Sequence, residues 1–80
     1  MSPTKTEYKH IYFAEAVSVP RKAKDIWLCL NNKSDEKLAA LEWYAPWRRY
    51  CVTDVLDNAV FDADCLRDIA HFLDQLNMGD

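Results

Sequence analysis

The stretch "LAALEWYAPWRRYCVT", residues 38–53, decides how this chain of 80 residues folds. In its first half Leu41 and Trp43 alternate with Glu42 and Tyr44, the period-two pattern of a strand with one face turned to a core. Ala45 and Pro46 interrupt the pattern, because proline lacks the N–H a ladder needs and restricts the residue before it. The chain is expected to reverse there and return as a second strand through "WRRYCVT". Upstream, "DIWLCL" is an apolar run of strand length, separated from "LAALEWY" by the polar "NNKSDEK", which reads as a hairpin turn. Earlier still, "YKHIYFAEAVSVP" is rich in β-branched and aromatic residues, with Ile11 and Phe13, joined by Val17, on one face and His10, Tyr12 and Ala14 on the other. The predicted strands are 8–19, 25–31, 37–44 and 47–53, with residues 1–6 as a loose tail.

Residues 62–77 carry a helical signal. Asp62 suits an N-cap, and Asp64 and Asp68 suit the positive end of the helix dipole. Phe61 and Leu66 have the spacing of a hydrophobic staple, and Gly79 suits a stop. Leu66, Ile69, Ala70, Leu73 and Leu76 recur at helical spacing, and Phe72 widens the stripe. The fold class that follows is α+β: a single domain with an antiparallel sheet of three or four strands, packed against one C-terminal helix. One helix covers one sheet face, so the other face meets water or a partner.

Length and composition bound the function. A chain this short buries only about 60% of its extended surface, which leaves little room for a deep enzyme cleft. Half the residues are apolar and one is glycine, so the composition is that of a folded chain without a glycine-rich phosphate loop. Cys29, Cys51 and Cys65 are an odd number with no C-x-x-C pair, which fits a reducing cytoplasm. No apolar run has the length to span a bilayer, so no membrane association is expected. The formal charge of −3 is unevenly spread, with residues 1–24 net basic and residues 54–80 holding seven aspartates against Arg67. This asymmetry suits a basic partner at the acidic end better than non-specific duplex binding.

The candidate site follows from the sheet geometry. On one reading Trp27, Trp43 and Trp47 build the core, Tyr44 and Tyr50 lie along the sheet edge, and Arg48 and Arg49 are solvated or paired with the acidic helix; on the other, Tyr44, Arg48, Arg49 and Tyr50 form a recognition surface, since aromatics and arginine dominate binding hot spots. The same mixture can stack a base and clamp a phosphate, which makes nucleic acid or a nucleotide the alternative ligand. Asp54, Asp57, Asp64 and Asp68 form an expected acidic docking surface. "DVLDNAVFDADCLRD" lacks the glycine turn and ligand spacing of a calcium loop, so neither metal nor cofactor is expected. Cys65 and His71 stand six positions apart and do not share a helix face, so no catalytic pair is read.

From "WYAPWRRYC" to "AVFDADCLRDIAHFL" the chain resembles a group of small proteins of bacteriophage and prophage genomes. The pattern runs through Leu30, Asn31, Asn32 and Ser34, then Trp43, Tyr44, Pro46, Trp47, Arg48 and Tyr50. It continues through Val60, Phe61, Cys65, Leu66, Asp68 and Ile69. That group usually has a glycine in the hairpin turn, where this chain has "NNKSDEK". The resemblance implies a mobile-element origin and a hairpin, strand and helix arrangement; it implies no chemistry. The combined expectation is a non-catalytic interaction module that binds or inhibits a host protein. A homodimer is a further expectation, because an uncovered face and an open edge offer more surface to bury.

Overall fold

The computed structural model describes residues 3–16 and 25–78. Four strands, β1 (Ile11–Glu15), β2 (Trp27–Asn31), β3 (Lys37–Tyr44) and β4 (Arg49–Val55), form one antiparallel sheet in the order β1-β2-β3-β4. The helix α1 (Ala63–Met78) packs on one side of it. This is the α+β arrangement expected from the pattern.

Register sorts the side chains. Phe13 stands opposite Cys29 and Cys29 opposite Ala39, while Trp27 pairs with Leu41, Leu41 with Val52 and Trp43 with Tyr50. These residues face α1, and Phe13, Cys29, Ala39, Leu41 and Tyr50 are buried. A bulge in β3 beside Cys29 lets Leu38 join the same core, and a second in β4 beside Leu41 shifts Thr53 out of register. The opposite ladder runs Ala14–Leu28–Ala40–Asp54, Glu42–Cys51 and Tyr44–Arg49, on the face α1 does not cover.

The helix stripe is rotated from the expected one. Cys65, Ile69, Phe72 and Leu76 are buried, whereas Leu66 and Ala70 are exposed. Spacings of four, three and four keep the buried set on a narrow stripe. Phe72 is fully enclosed, stacked on Phe13 at 4.0 Å between ring centroids and edge-on to Trp27 at 5.2 Å. Burying a ring of this size contributes about 1.5–3 kcal/mol. Asp62 caps α1 by accepting from the Cys65 backbone N–H at 2.8 Å, and these bonds hold its carboxyl below the usual carboxylate range. Gly79, read as the stop, lies outside the described residues.

Several boundaries differ from expectation; β2 begins at Trp27 rather than at residue 25, and β4 runs to Val55 rather than to residue 53. The first strand begins at Ile11, because Tyr8 N–H bonds to Ile11 O and Phe13 N–H to Thr6 O, so the preceding chain folds back along β1. Residues 17–19 of the expected strand, Val17 included, lie outside the described residues. Residues 4–6 are held rather than loose: Gln75 Oε1 accepts from the backbone N–H groups of Thr4 and Lys5, both at 3.0 Å, and from the Thr4 hydroxyl, and Thr6 O takes the Phe13 N–H. Gln75 Nε2 donates to Lys5 O and to the Tyr8 hydroxyl, which lies 2.8 Å from His71 Nδ1. Finally, β4 starts at Arg49, because Ala45–Trp47 form a 3₁₀ turn with the proline at its start.

Candidate functional site

The β3–β4 connection places the site. Tyr44 pairs with Arg49, leaving residues 45–48 as the loop. The 3₁₀ turn closes through Arg48 N–H to Ala45 O at 3.1 Å, and Arg48 itself adopts φ 53°, ψ 47°. That left-handed conformation is the position after a helical turn where glycine is the ordinary occupant. Asp35 also has a positive φ, of 60°, but short polar side chains tolerate it in turns, and an arginine does so less readily.

The turn pushes Trp47 out of the fold. Its ring is 67% exposed and stands edge-on to Tyr44, itself 41% exposed, at 5.2 Å between centroids. Arg48 and Arg49 are both exposed, and among the described residues neither makes an ion pair or a side-chain hydrogen bond. The hairpin tip is thus an aromatic pair flanked by two unneutralised guanidinium groups. Arginine beside an exposed indole is a combination that dominates protein interfaces.

Two expected placements are corrected. Tyr50 does not belong to the surface: it is 7% exposed, packs edge-on against Trp43 at 5.8 Å and donates its hydroxyl to Asp25 O at 3.1 Å. Its N–H bonds to Asn77 Oδ1 at 2.7 Å, so its backbone is anchored to α1 as well. Trp47, read as core, takes its place outside. The cause is the loop: once residues 45–48 are used by the turn, cross-strand pairing puts Tyr50 opposite the core residue Trp43. Trp27 and Trp43 do pack against the core.

The four aspartates do not form one surface. Asp54 sits on the ladder facing away from α1, opposite Ala40. Asp57 belongs to the connection after β4, beside a depression described below. Asp64 pairs with Arg67 at 2.7 Å across one helical turn, and Asp68 is half-buried. The like charge of Asp68 adds to burial in raising the Tyr8 hydroxyl above its ordinary value. Capping accounts for Asp62 and local pairing for Asp64.

Among the described residues no group of three or more histidines, cysteines or carboxylates is arranged to hold a metal ion. All three cysteines are free thiols. Burial pushes the Cys29 thiol up to about 12, and burial also raises that of Cys65, so both are poor nucleophiles. Among the described residues no helix is long and apolar enough to cross a membrane. Comparisons with protein-family models, with curated proteins and with solved structures found no match to this chain.

Proposed function

We propose that the chain is a small non-catalytic interaction module, of phage or prophage origin and acting in the cytoplasm, that engages a protein partner through the β3–β4 hairpin tip. The observation that carries this reading is the exposed Trp47–Tyr44 pair between Arg48 and Arg49. An indole left in water forgoes the stabilisation of burial, and a left-handed arginine forgoes what glycine would give. Neither arrangement helps the fold, whereas both serve a knob that enters a pocket. The chemistry of the knob defines its receptor: an apolar recess rimmed by carboxylates. Inhibition of a host protein would be one use of such a contact.

The test is affinity capture from bacterial lysate by the full chain and by its Trp47→Ala/Arg48→Ala/Arg49→Ala variant. A stoichiometric protein retained by the first and lost by the second is the expected result. Retention of nucleic acid without protein, sensitive to added salt and lost in the same variant, would replace this reading with that of a single-strand binder using the same rings for stacking.

A further inference from the structure

The knob's complement is present on the chain itself. At the opposite end of the β3–β4 hairpin lies a depression of about 240 Å³, lined on its apolar side by Leu38, Leu56 and Ala59 and on its polar side by Glu36 and Asp57. Backbone bonds from Leu56 N–H to Leu38 O and from Ala59 N–H to Leu56 O, both 3.0 Å, fix its walls. Glu36 and Asp57 are exposed, and among the lining residues Lys37 carries the opposite charge. Pockets for drug-sized ligands begin at about 300 Å³, so this one suits a single bulky side chain. A second depression, of about 250 Å³, is lined by Glu7, Tyr8, Tyr12 and Asn32 and offers no aliphatic wall.

Tip and depression cannot meet within one protomer. β3 runs its eight residues from Lys37 at the depression to Tyr44 at the tip, a span of about 25 Å. We propose that the tip of one copy docks into this depression of a second copy, Trp47 against Leu38, Leu56 and Ala59, with Arg48 and Arg49 facing Glu36 and Asp57. This rests on the reading of the tip as a binding knob and names its partner as the chain itself. The contact joins unlike surfaces, so a pair joined by one contact still presents one free tip, on one copy, and one free depression, on the other. Joined by one contact per pair, copies grow head-to-tail into a ring or an open row; joined by two reciprocal contacts, they close as a symmetric pair.

Sedimentation of the full chain across micromolar to millimolar concentrations tests this. The weight-average mass should rise with concentration and fall again in high salt, which screens the paired charges. Arg48→Glu/Arg49→Glu and Glu36→Lys/Asp57→Lys should each weaken self-association at least about tenfold, as loss of an interface anchor does. Circular dichroism should match wild type, since all four sites are exposed. An equimolar mixture of the two should associate again, because the intact tip of one meets the intact depression of the other and the reversed tip and reversed depression carry opposite charges. A chain carrying all four reversals should self-associate again.

A wild-type chain that stays monomeric throughout, or that associates equally well in both reversed variants, overturns self-docking. The knob reading fails separately, if lysate capture is indifferent to Trp47→Ala/Arg48→Ala/Arg49→Ala.

Discussion

Two aromatic clusters of the molecule have similar composition and opposite fates. At the sheet–helix junction Phe13, Phe72 and Trp27 pack ring on ring with Phe72 fully enclosed. At the hairpin tip Tyr44 and Trp47 meet edge-on in water beside two arginines. The first cluster draws on three elements far apart in sequence, β1, β2 and α1, and so ties the fold together. The second lies within four positions of one hairpin and ties nothing to it. Aromatic density alone therefore says little; what matters is whether a ring's neighbours come from elsewhere in the chain.

Replacing Phe72 by alanine should expose that contrast most strongly. The change removes a stacked ring from a closed site and should cost about 3–5 kcal/mol, a large share of the 5–15 kcal/mol that stabilises a typical domain. Urea titration followed by far-ultraviolet circular dichroism should find the variant largely unfolded or its midpoint sharply lowered. A near-native midpoint would mean that the junction does not organise the fold.

Asn77→Ala should come next. Its side-chain oxygen takes the N–H of the buried Tyr50, and an orphaned buried donor costs about 1–3 kcal/mol. Amide hydrogen exchange should quicken at Tyr50 more than at residues across the sheet.

Acid should produce a milder loss through Asp62. Its folded carboxyl titrates below the unfolded one, so its stabilising contribution is complete above the unfolded value and disappears as pH falls through the folded value. Thermal midpoints taken downward from pH 6 should fall, and Asp62→Asn, which can still cap, should flatten that acid dependence. An unchanged acid dependence would place its origin at other carboxylates.

Trp47→Ala should have the smallest effect on stability, within about 0.5 kcal/mol, because the ring is already in water. A shift of several kcal/mol would show that the tip supports the fold after all, and would weaken the comparison.

The architecture was legible because two periodicities were clear: alternation through Leu41–Tyr44 and the 3.6-residue recurrence around Ile69, Phe72 and Leu76. The expected β3 range, residues 37–44, coincides with Lys37–Tyr44. The site was half legible. Tyr44, Arg48 and Arg49 are exposed as expected, but Trp47 and Tyr50 are interchanged, because the 3₁₀ turn takes Trp47 out of the strand and the pairing of Tyr44 with Arg49 sets Tyr50 opposite Trp43 on the core face. Pro46 signalled the reversal without giving the length of the turn. Counting four residues between paired Tyr44 and Arg49 would have placed Tyr50 inward. Cys65 invites a reactive reading, but its four-residue spacing to Ile69 sets it on the buried stripe. The attachment of residues 4–8 to Gln75 left no local trace, since those hydrogen bonds cross about seventy positions.

The amide of Asn77 at Tyr50 and the fold-back of residues 6–8 along β1 have a consequence for crowding in the cell. An outer strand normally offers bare peptide groups on which another chain can lay down a further strand, the route to lateral aggregation. Here both flanks of the sheet are occupied, at those positions, by polar groups of the same chain. An added strand would find the peptide groups at those positions already taken, at Tyr50 on one flank and along residues 11–13 on the other.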